Sequence, residues 1–343
     1  MRSNRIVFRA DGGELTGLGH IMRCVSLSEM LGPAFSYLFI VNNADEKVKE
    51  LVSQHGEAVF INVEDIESEP EAISGIIRQD DIFVSDGYFF DTAYQEQIKK
   101  KVHKLVMIDD KAMHFFYADV IINHGGLSEI PSYRTAPFTR VLSGFDYLIA
   151  RNEFIHAASS PELRKISPVE TVFICMGGAD PFDITTKIIN VCLSFDYIQR
   201  LNVVTGAAYA HRSSLSNVLA ADSSSRIRHY ENLNAKEMVQ HIAESQVSFA
   251  TASSTAMEIC CVRSGLVSGI VVDNQNAIHQ QLLANGCCIS AGNFITASEA
   301  HIADCIRQIV DPGVLGKVIA NQKRNVDGRS AERLLEVFTN LAA

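Results

Sequence analysis

The chain has 343 residues, 47% of them apolar and 20% charged, with a formal net charge of −10. That length and apolar content suit a globular protein of two ordinary domains, each with its own core. The acidic balance and the lack of a Lys/Arg-rich run exclude the electrostatic footprint of a nucleic-acid or anionic-membrane binder. Backbone amides and a few cations can still hold a phosphate.

No apolar N-terminal segment with a small-residue cleavage site is visible, and no apolar stretch reaches transmembrane length. The eight cysteines form no C-x-x-C pair, and most lie in apolar strand or helix contexts. They read as reduced core residues, and the expectation is a cytoplasmic monomer without metal or cofactor. The histidines are scattered and show no H-x-x-x-H spacing.

Ile6-Val7-Phe8 reads as a first strand, followed by Gly12, Gly13, Gly17 and Gly19, and then by Ile21, Met22, Val25, Leu27, Met30 and Leu31 at helical spacing. Strand-like and helical runs then alternate. Strands are expected at Phe35–Val41, Ala58–Ile61, Asp81–Ser85, Lys104–Ile108 and Val120–Ile122. Helices are expected near Asp45–Gln54, Ile66–Arg78 and Thr92–Lys101. Polar residues close these strands: Asp11, Asp86, Asp109 and Asn123. In open parallel α/β sheets ligands bind at such ends.

Around Phe145–Phe154 and Ala157–Pro168 the periodicity lapses, marking a domain junction. A second alternating set follows. Its strands are Thr171–Cys175, Leu201–Thr205, Ile227–Tyr230, Val247–Ala250 and Leu266–Val272. Its helices are Ile184–Leu193, Ser213–Ala220, Ala235–Ala243, Ala256–Val262 and Ala277–Ala284. Helices at Ala300–Val310, Gly313–Gln322 and Ser330–Leu341 close the chain. Two such sets imply an α/β protein of two Rossmann-like domains facing across a cleft. The boundaries are placed at 1–157 and 168–328, with 329–343 as a final helix.

Three stretches carry chemistry. The first is Arg9–Cys24, where glycines let a ligand approach the backbone and the helix N-terminus favours an anion such as a pyrophosphate. His20, where loop meets helix, can act as a base near neutral pH; a tight βα turn with an exposed His fits the same residues. The second is Gly177-Gly178-Ala179-Asp180-Pro181, which repeats the strand, glycine, helix order; a turn needing positive φ also explains it. The third is Ser253-Ser254-Thr255-Ala256-Met257-Glu258, hydroxyls at a helix start with a carboxylate nearby. These suit a phosphate and a ribose diol, or helix capping alone. Asn274-Gln275, beside Asp273 at another strand end, offers paired amide donors and acceptors for a sugar.

Taken together, the chain resembles the UDP-2,4-diacetamido-2,4,6-trideoxy-hexose hydrolases of pseudaminic acid biosynthesis, a pathway to bacterial surface glycans. The matching stretches are Arg9-Ala10-Asp11, Gly17-Leu18-Gly19-His20-Ile21-Met22-Arg23-Cys24, Asp86-Gly87-Tyr88, Ile108-Asp109-Asp110, Ala150-Arg151-Asn152-Glu153-Phe154, Gly177-Gly178-Ala179-Asp180-Pro181, Ser254-Thr255 with Glu258, and Asn274-Gln275. The resemblance implies the GT-B architecture of MurG-type glycosyltransferases, with the last helix crossing back onto the first domain. It implies a catalytic group of His20, Tyr88 and Asp11, His20 being the base that activates water. It assigns substrate binding to Gly17, Gly19, Arg23, Gly177, Gly178, Ser253, Ser254, Thr255, Glu258, Asn274 and Gln275. Gly87, Ser253 and Met257 depart from the family's pattern. A GT-B glycosyltransferase, a hydrolysing UDP-sugar epimerase and a non-catalytic nucleotide-sugar binder are the competing readings.

Overall fold

The first strand, β1 (Arg5–Ala10), is buried at every position, although two of its six residues are arginines. A buried guanidinium needs a carboxylate, and each has one. Arg5 donates to Asp81 through Nε and Nη2 at 2.8 and 2.7 Å. Arg9 donates to Glu69 through Nε and Nη2 at 2.7 and 2.6 Å. The computed structural model describes residues 5–13, 18–126, 133–161 and 164–343.

The chain divides into two units, one of residues 1–152 with 329–343, the other of residues 153–328. In the first unit β1 is followed by β2 (Ser36–Asn42), β3 (Glu57–Ile61), β4 (Ile82–Asp86), β5 (Lys104–Ile108), β6 (Phe115–Phe116), β7 (Val120–Asn123), β8 (Arg134–Thr135) and β9 (Arg140–Ser143). The sheet runs β3-β2-β1-β4-β5-β7-β9, all parallel, and β6 pairs with β8 apart from it. The helices are α1 (Gly19–Leu31), α2 (Glu46–Ser53), the single turn α3 (Glu69–Ala72) and α4 (Thr92–Lys99). Strand order reverses between β1 and β4, which makes their carboxyl ends the switch point where such sheets take ligands. Register sets the neighbours there: Ala10 lies beside Asp86, and Asp86 beside Ile108.

The second unit holds β10 (Thr171–Cys175), β11 (Arg200–Thr205), β12 (Ile227–Glu231), β13 (Val247–Thr251), β14 (Gly265–Ile270) and β15 (Ile289–Asn293), in the parallel order β12-β11-β10-β13-β14-β15. The helices from the unit boundary onwards are α5 (Asn152–Ala158), α6 (Ile184–Leu193), α7 (Arg212–Ala221), α8 (Ala235–Glu244), α9 (Ser254–Val262), α10 (Asn276–Ala284), α11 (Glu299–Ile309) and α12 (Pro312–Asn325). Here the reversal falls between β10 and β13. The sheet is packed by Ile174, Ile188, Val203, Phe249, Phe294 and Ile306, all at or near full burial.

The final helix, α13 (Ser330–Ala342), belongs to the first unit, where it packs on α1. Leu334, Val337 and Phe338 recur at helical spacing and are its buried apolar face. The Phe338 ring meets Phe35 edge-on, with centroids 6.4 Å apart.

Several elements differ from the sequence reading. Over the expected helix Ile66–Arg78 only Glu69–Ala72 is helical, followed by turns. Glu69 is fully buried so that its carboxylate can meet Arg9 and accept from the Tyr94 hydroxyl, and the isoleucines with helical spacing fill the core from turns instead. β15 went unforeseen because I-S-A-G-N offers no alternation, and its register against β14 shifts at Ser268/Gly269. β9, three of whose four residues are exposed, is an edge strand with no apolar signal. α5 lies inside the expected junction, anchored by the fully buried Phe154. No helix among the described residues is long and apolar enough to cross a membrane.

Candidate active site

His20 is the second residue of α1, so its ring emerges at the switch point of the first unit. There Nδ1 lies 2.6 Å from Oδ1 of Asp86, the last residue of β4. Asp86 is fully buried and also takes a two-pronged contact from Arg23, one turn along α1: Nε to Oδ2 at 2.8 Å and Nη2 to Oδ1 at 2.5 Å. Burial works against the Asp86 charge, but Arg23 and His20 outweigh it and hold the carboxyl below its ordinary range. An ionised Asp86 fixes the tautomer with hydrogen on His20 Nδ1, as in other His–carboxylate pairs. Arg23 Nη2 lies 2.9 Å from that same Nδ1 because both donors converge on one oxygen. Nε2 makes no hydrogen bond among the described residues, and the imidazole side chain is 18% exposed. A neutral ring held this way presents a basic lone pair outward.

Arg23 is itself held on its far side, donating from Nη1 to Asp110 Oδ2 at 3.1 Å. Burial opposes its charge, and Asp86 and Asp110 raise its pKa above the usual arginine value. The guanidinium thus bridges two carboxylates and braces the His20–Asp86 pair; Arg23 is one of the residues expected on the substrate. Tyr88 presents its ring edge-on to His20 with centroids 5.0 Å apart, and its hydroxyl reaches Asp110 Oδ2 at 3.4 Å. His124, almost fully buried, lies 3.5 Å from Arg23 Nη1. Burial and the nearby Arg23 push its pKa down to about 4, so this ring stays neutral near pH 7. Burial raises the Asp109 carboxyl against the bonds it accepts from the Lys111 and Ala112 amides and the Tyr133 hydroxyl.

Asp11, expected in the catalytic group with His20 and Tyr88, has its carboxylate on two neighbours. It pairs with Arg9 and accepts from the Asn42 amide at 2.9 Å, which ties the end of β1 to β2. Gly17 lies outside the described residues. Gly19 opens α1, with nothing among the described residues within 4 Å of where a Cβ would sit. Asp86, Asp110 and His124 stand in the sequence as strand-end residues, but only the β1–β4 adjacency reveals that Asp86 meets His20. That adjacency follows from the strand order, which local periodicity does not encode.

In the second unit the equivalent switch point is built from small residues. Gly177 follows β10 at φ +94°, where an L side chain is strained, and neither it nor Gly178 has any described atom within 4 Å of a Cβ position. Gly206, just after β11, packs so closely that a Cβ there would lie 2.6 Å from the Gly178 backbone. Asp180 is a cap, accepting from the Ile184 and Thr185 amides at 3.0 and 2.8 Å. After β13, Ser253 stands at the N-cap of α9 with no capping bond from its side chain, its hydroxyl turning back to the Thr251 carbonyl at 3.3 Å. Ser254 is exposed and Thr255 half-buried in the first turn. That leaves the helix's first amides open to an anion. Glu258, expected near the first turn, lies one turn in from the start of α9 and is buried. Gln275 spends its Oε1 on the Val271 amide at 2.8 Å, shaping the turn, and Asn274 beside it is exposed. Among the described residues no group of three or more His, Cys, Asp or Glu could hold a metal ion.

No family model matches the chain. An uncharacterized protein of Methanocaldococcus jannaschii is 27% identical over 67% of this chain and 48% of its own length, so the chain spans about half of that relative. The spore coat polysaccharide biosynthesis protein SpsG of Bacillus subtilis is 22% identical over 82% of both chains. The UDP-2,4-diacetamido-2,4,6-trideoxy-β-L-altropyranose hydrolase of Campylobacter jejuni is 20% identical over 82% of this chain and 97% of its own. Among solved structures, MurG of Acinetobacter baumannii superposes with a TM-score of 0.69 at 11% identity, covering 98% of this chain and 99% of its own. A UDP-N-acetylglucosamine 2-epimerase from Listeria monocytogenes, described as putative, gives 0.60 at 10% identity over 98% and 96%. The fold is therefore the two-sheet α/β architecture of GT-B proteins.

Proposed function

We propose that the chain is a GT-B enzyme acting on a UDP-sugar. We infer further that it is a hydrolase releasing UDP and a free 2,4-diacetamido-2,4,6-trideoxy hexose, the reaction named for its Campylobacter relative. The observation that carries this reading is the His20–Asp86 pair, with the tautomer fixed and Nε2 unengaged among the described residues. In this mechanism Nε2 takes a proton from a water molecule as its oxygen attacks the anomeric carbon. The bond from that carbon to the β-phosphate oxygen breaks, and UDP leaves with the electron pair. The open start of α9 and the Gly177-Gly178 turn supply amides for the diphosphate. Tyr88 lines the sugar pocket, Glu258 with Ser253, Ser254 and Thr255 holds the nucleotide, and Asn274 and Gln275 reach the sugar. Weak relatives that act in surface-polysaccharide and nucleotide-sugar chemistry support the substrate class.

The test is incubation of the pure protein with the UDP-sugar and no acceptor, in ¹⁸O-water. Free sugar carrying the label is the expected product. No release without an acceptor points to a glycosyltransferase, release of an epimerised sugar to a hydrolysing epimerase, and label in UDP to attack at phosphorus.

A further inference from the structure

Lys111 follows the carboxylates Asp109 and Asp110, and its place is set by the backbone. The Asp109 side chain accepts from the amides of Lys111 and Ala112 at 3.0 and 2.7 Å, and Ala112 turns the chain at φ +53°. The result puts Nζ 3.5 Å from the centroid of the Tyr88 ring, the ring whose edge faces His20. The loop is pinned to Tyr88 a second time, through a contact of 3.2 Å between His114 Nε2 and the Tyr88 carbonyl. The Lys111 ammonium is half-buried and forms no ion pair among the described residues.

Charge gives that position its meaning. Around His20 the Asp86 and Asp110 carboxylates share one guanidinium, Arg23, among the ion pairs of the described residues, and Asp109 adds another carboxyl nearby. A site rich in carboxyl groups needs a further cation to receive an anion. A ring face holds an ammonium weakly compared with a phosphate oxygen, so it keeps the cation in place and gives it up when a better partner arrives.

We propose that Lys111 is a substrate-contacting residue, its ammonium leaving the Tyr88 ring to pair with the diphosphate of the nucleotide sugar and to neutralise charge as UDP departs. This rests on the UDP-sugar reading above. It is tested on the full chain with Lys111→Met, which keeps the stem and removes the charge, and Lys111→Arg, which keeps the charge. UDP binding is followed by calorimetry and turnover by release of UDP. The expected result for Lys111→Met is about tenfold weaker UDP binding and a kcat/KM lower by about tenfold or more. The weakened binding has a shallower salt dependence than wild type, an unchanged melting curve shows that the fold is intact, and Lys111→Arg is expected within about threefold of wild type. UDP affinity and kcat/KM within twofold of wild type in Lys111→Met overturn the inference while leaving the hydrolase reading standing. A wild-type protein that binds UDP without hydrolysing the sugar, and loses that binding in Lys111→Met, sinks the hydrolase reading and keeps the inference. A wild-type protein that does not bind UDP overturns both.

Discussion

The two units share a strand order and put their candidate residues at the same topological position, yet they fill it with opposite chemistry. After β1 and β4 the first unit places an imidazole, two carboxylates and a guanidinium in mutual contact. After β10 and β13 the second places glycines, hydroxyls and an uncapped helix start. Side chains that trade protons must be held rigidly and in defined charge states, so the first site is buried and cross-braced. A diphosphate is held best by amides and open space, and the second site, with few side chains, offers both. Under the proposed function one scaffold separates acid–base work from anion binding, and substitutions in the two places are expected to fail differently.

The sharpest way to break the comparison is His20→Asn. Turnover is expected to fall by about 10²–10⁴-fold while UDP affinity stays within about twofold, read by steady-state kinetics and calorimetry. Retained activity removes the imidazole from the chemistry and with it the division of labour. Asp86→Asn comes next. It frees the tautomer of His20 and leaves Arg23 with half its compensation, so kcat is expected to drop by about 10²-fold or more. Stability is expected to fall by about 3–5 kcal/mol at pH 7, read by urea unfolding. The folded-state pKa of Asp86 is depressed, so its stabilisation is present above the unfolded value near 4 and fades as pH falls below it. The gap between wild type and variant is therefore expected to narrow in acid.

On the other side of the comparison, Gly206→Ala forces a Cβ against the Gly178 backbone. A cost of about 1–3 kcal/mol in stability is expected. UDP affinity, read by calorimetry, is expected to weaken by about tenfold as the Gly177-Gly178 turn shifts. A variant that binds UDP as wild type does would detach this turn from the nucleotide. The smallest effect sharpens the first site. His124 is held neutral by burial and Arg23, with its pKa near 4 against about 6.5 unfolded. The stability tied to it is present above pH 6.5 and is lost as pH falls towards 4. His124→Gln is expected to flatten the decline of unfolding free energy between pH 6.5 and 4.5 while leaving kcat at pH 8 within about threefold.

These expectations also show what a linear sequence holds. The α/β alternation is a local pattern, written in apolar runs such as Ile6–Phe8 and Val172–Ile174, and it was legible. The motif Gly19-His20 pointed to a candidate base. Its partner did not show, because Asp86 lies 66 residues away and only the sheet order brings them together. Arg23 entered as a substrate residue through the resemblance, and its pairing with Asp86 and Asp110 is visible only in the folded register. Glu69 shows the reverse case, in which a helical pattern from Ile66 to Arg78 yields to the need of one buried arginine for a carboxylate.

The return of α13 to the first unit has a consequence for how the protein is made. Residues 1–152 leave the ribosome long before their last helix exists, and the whole of 153–328 is synthesised in between. During that interval α1 and Phe35 have no cover for the surface that Phe338 will fill. The helix that carries His20 thus gains this cover only after residues 153–328 have been made. Removal of residues 329–343 therefore uncovers α1, some three hundred residues earlier in the sequence.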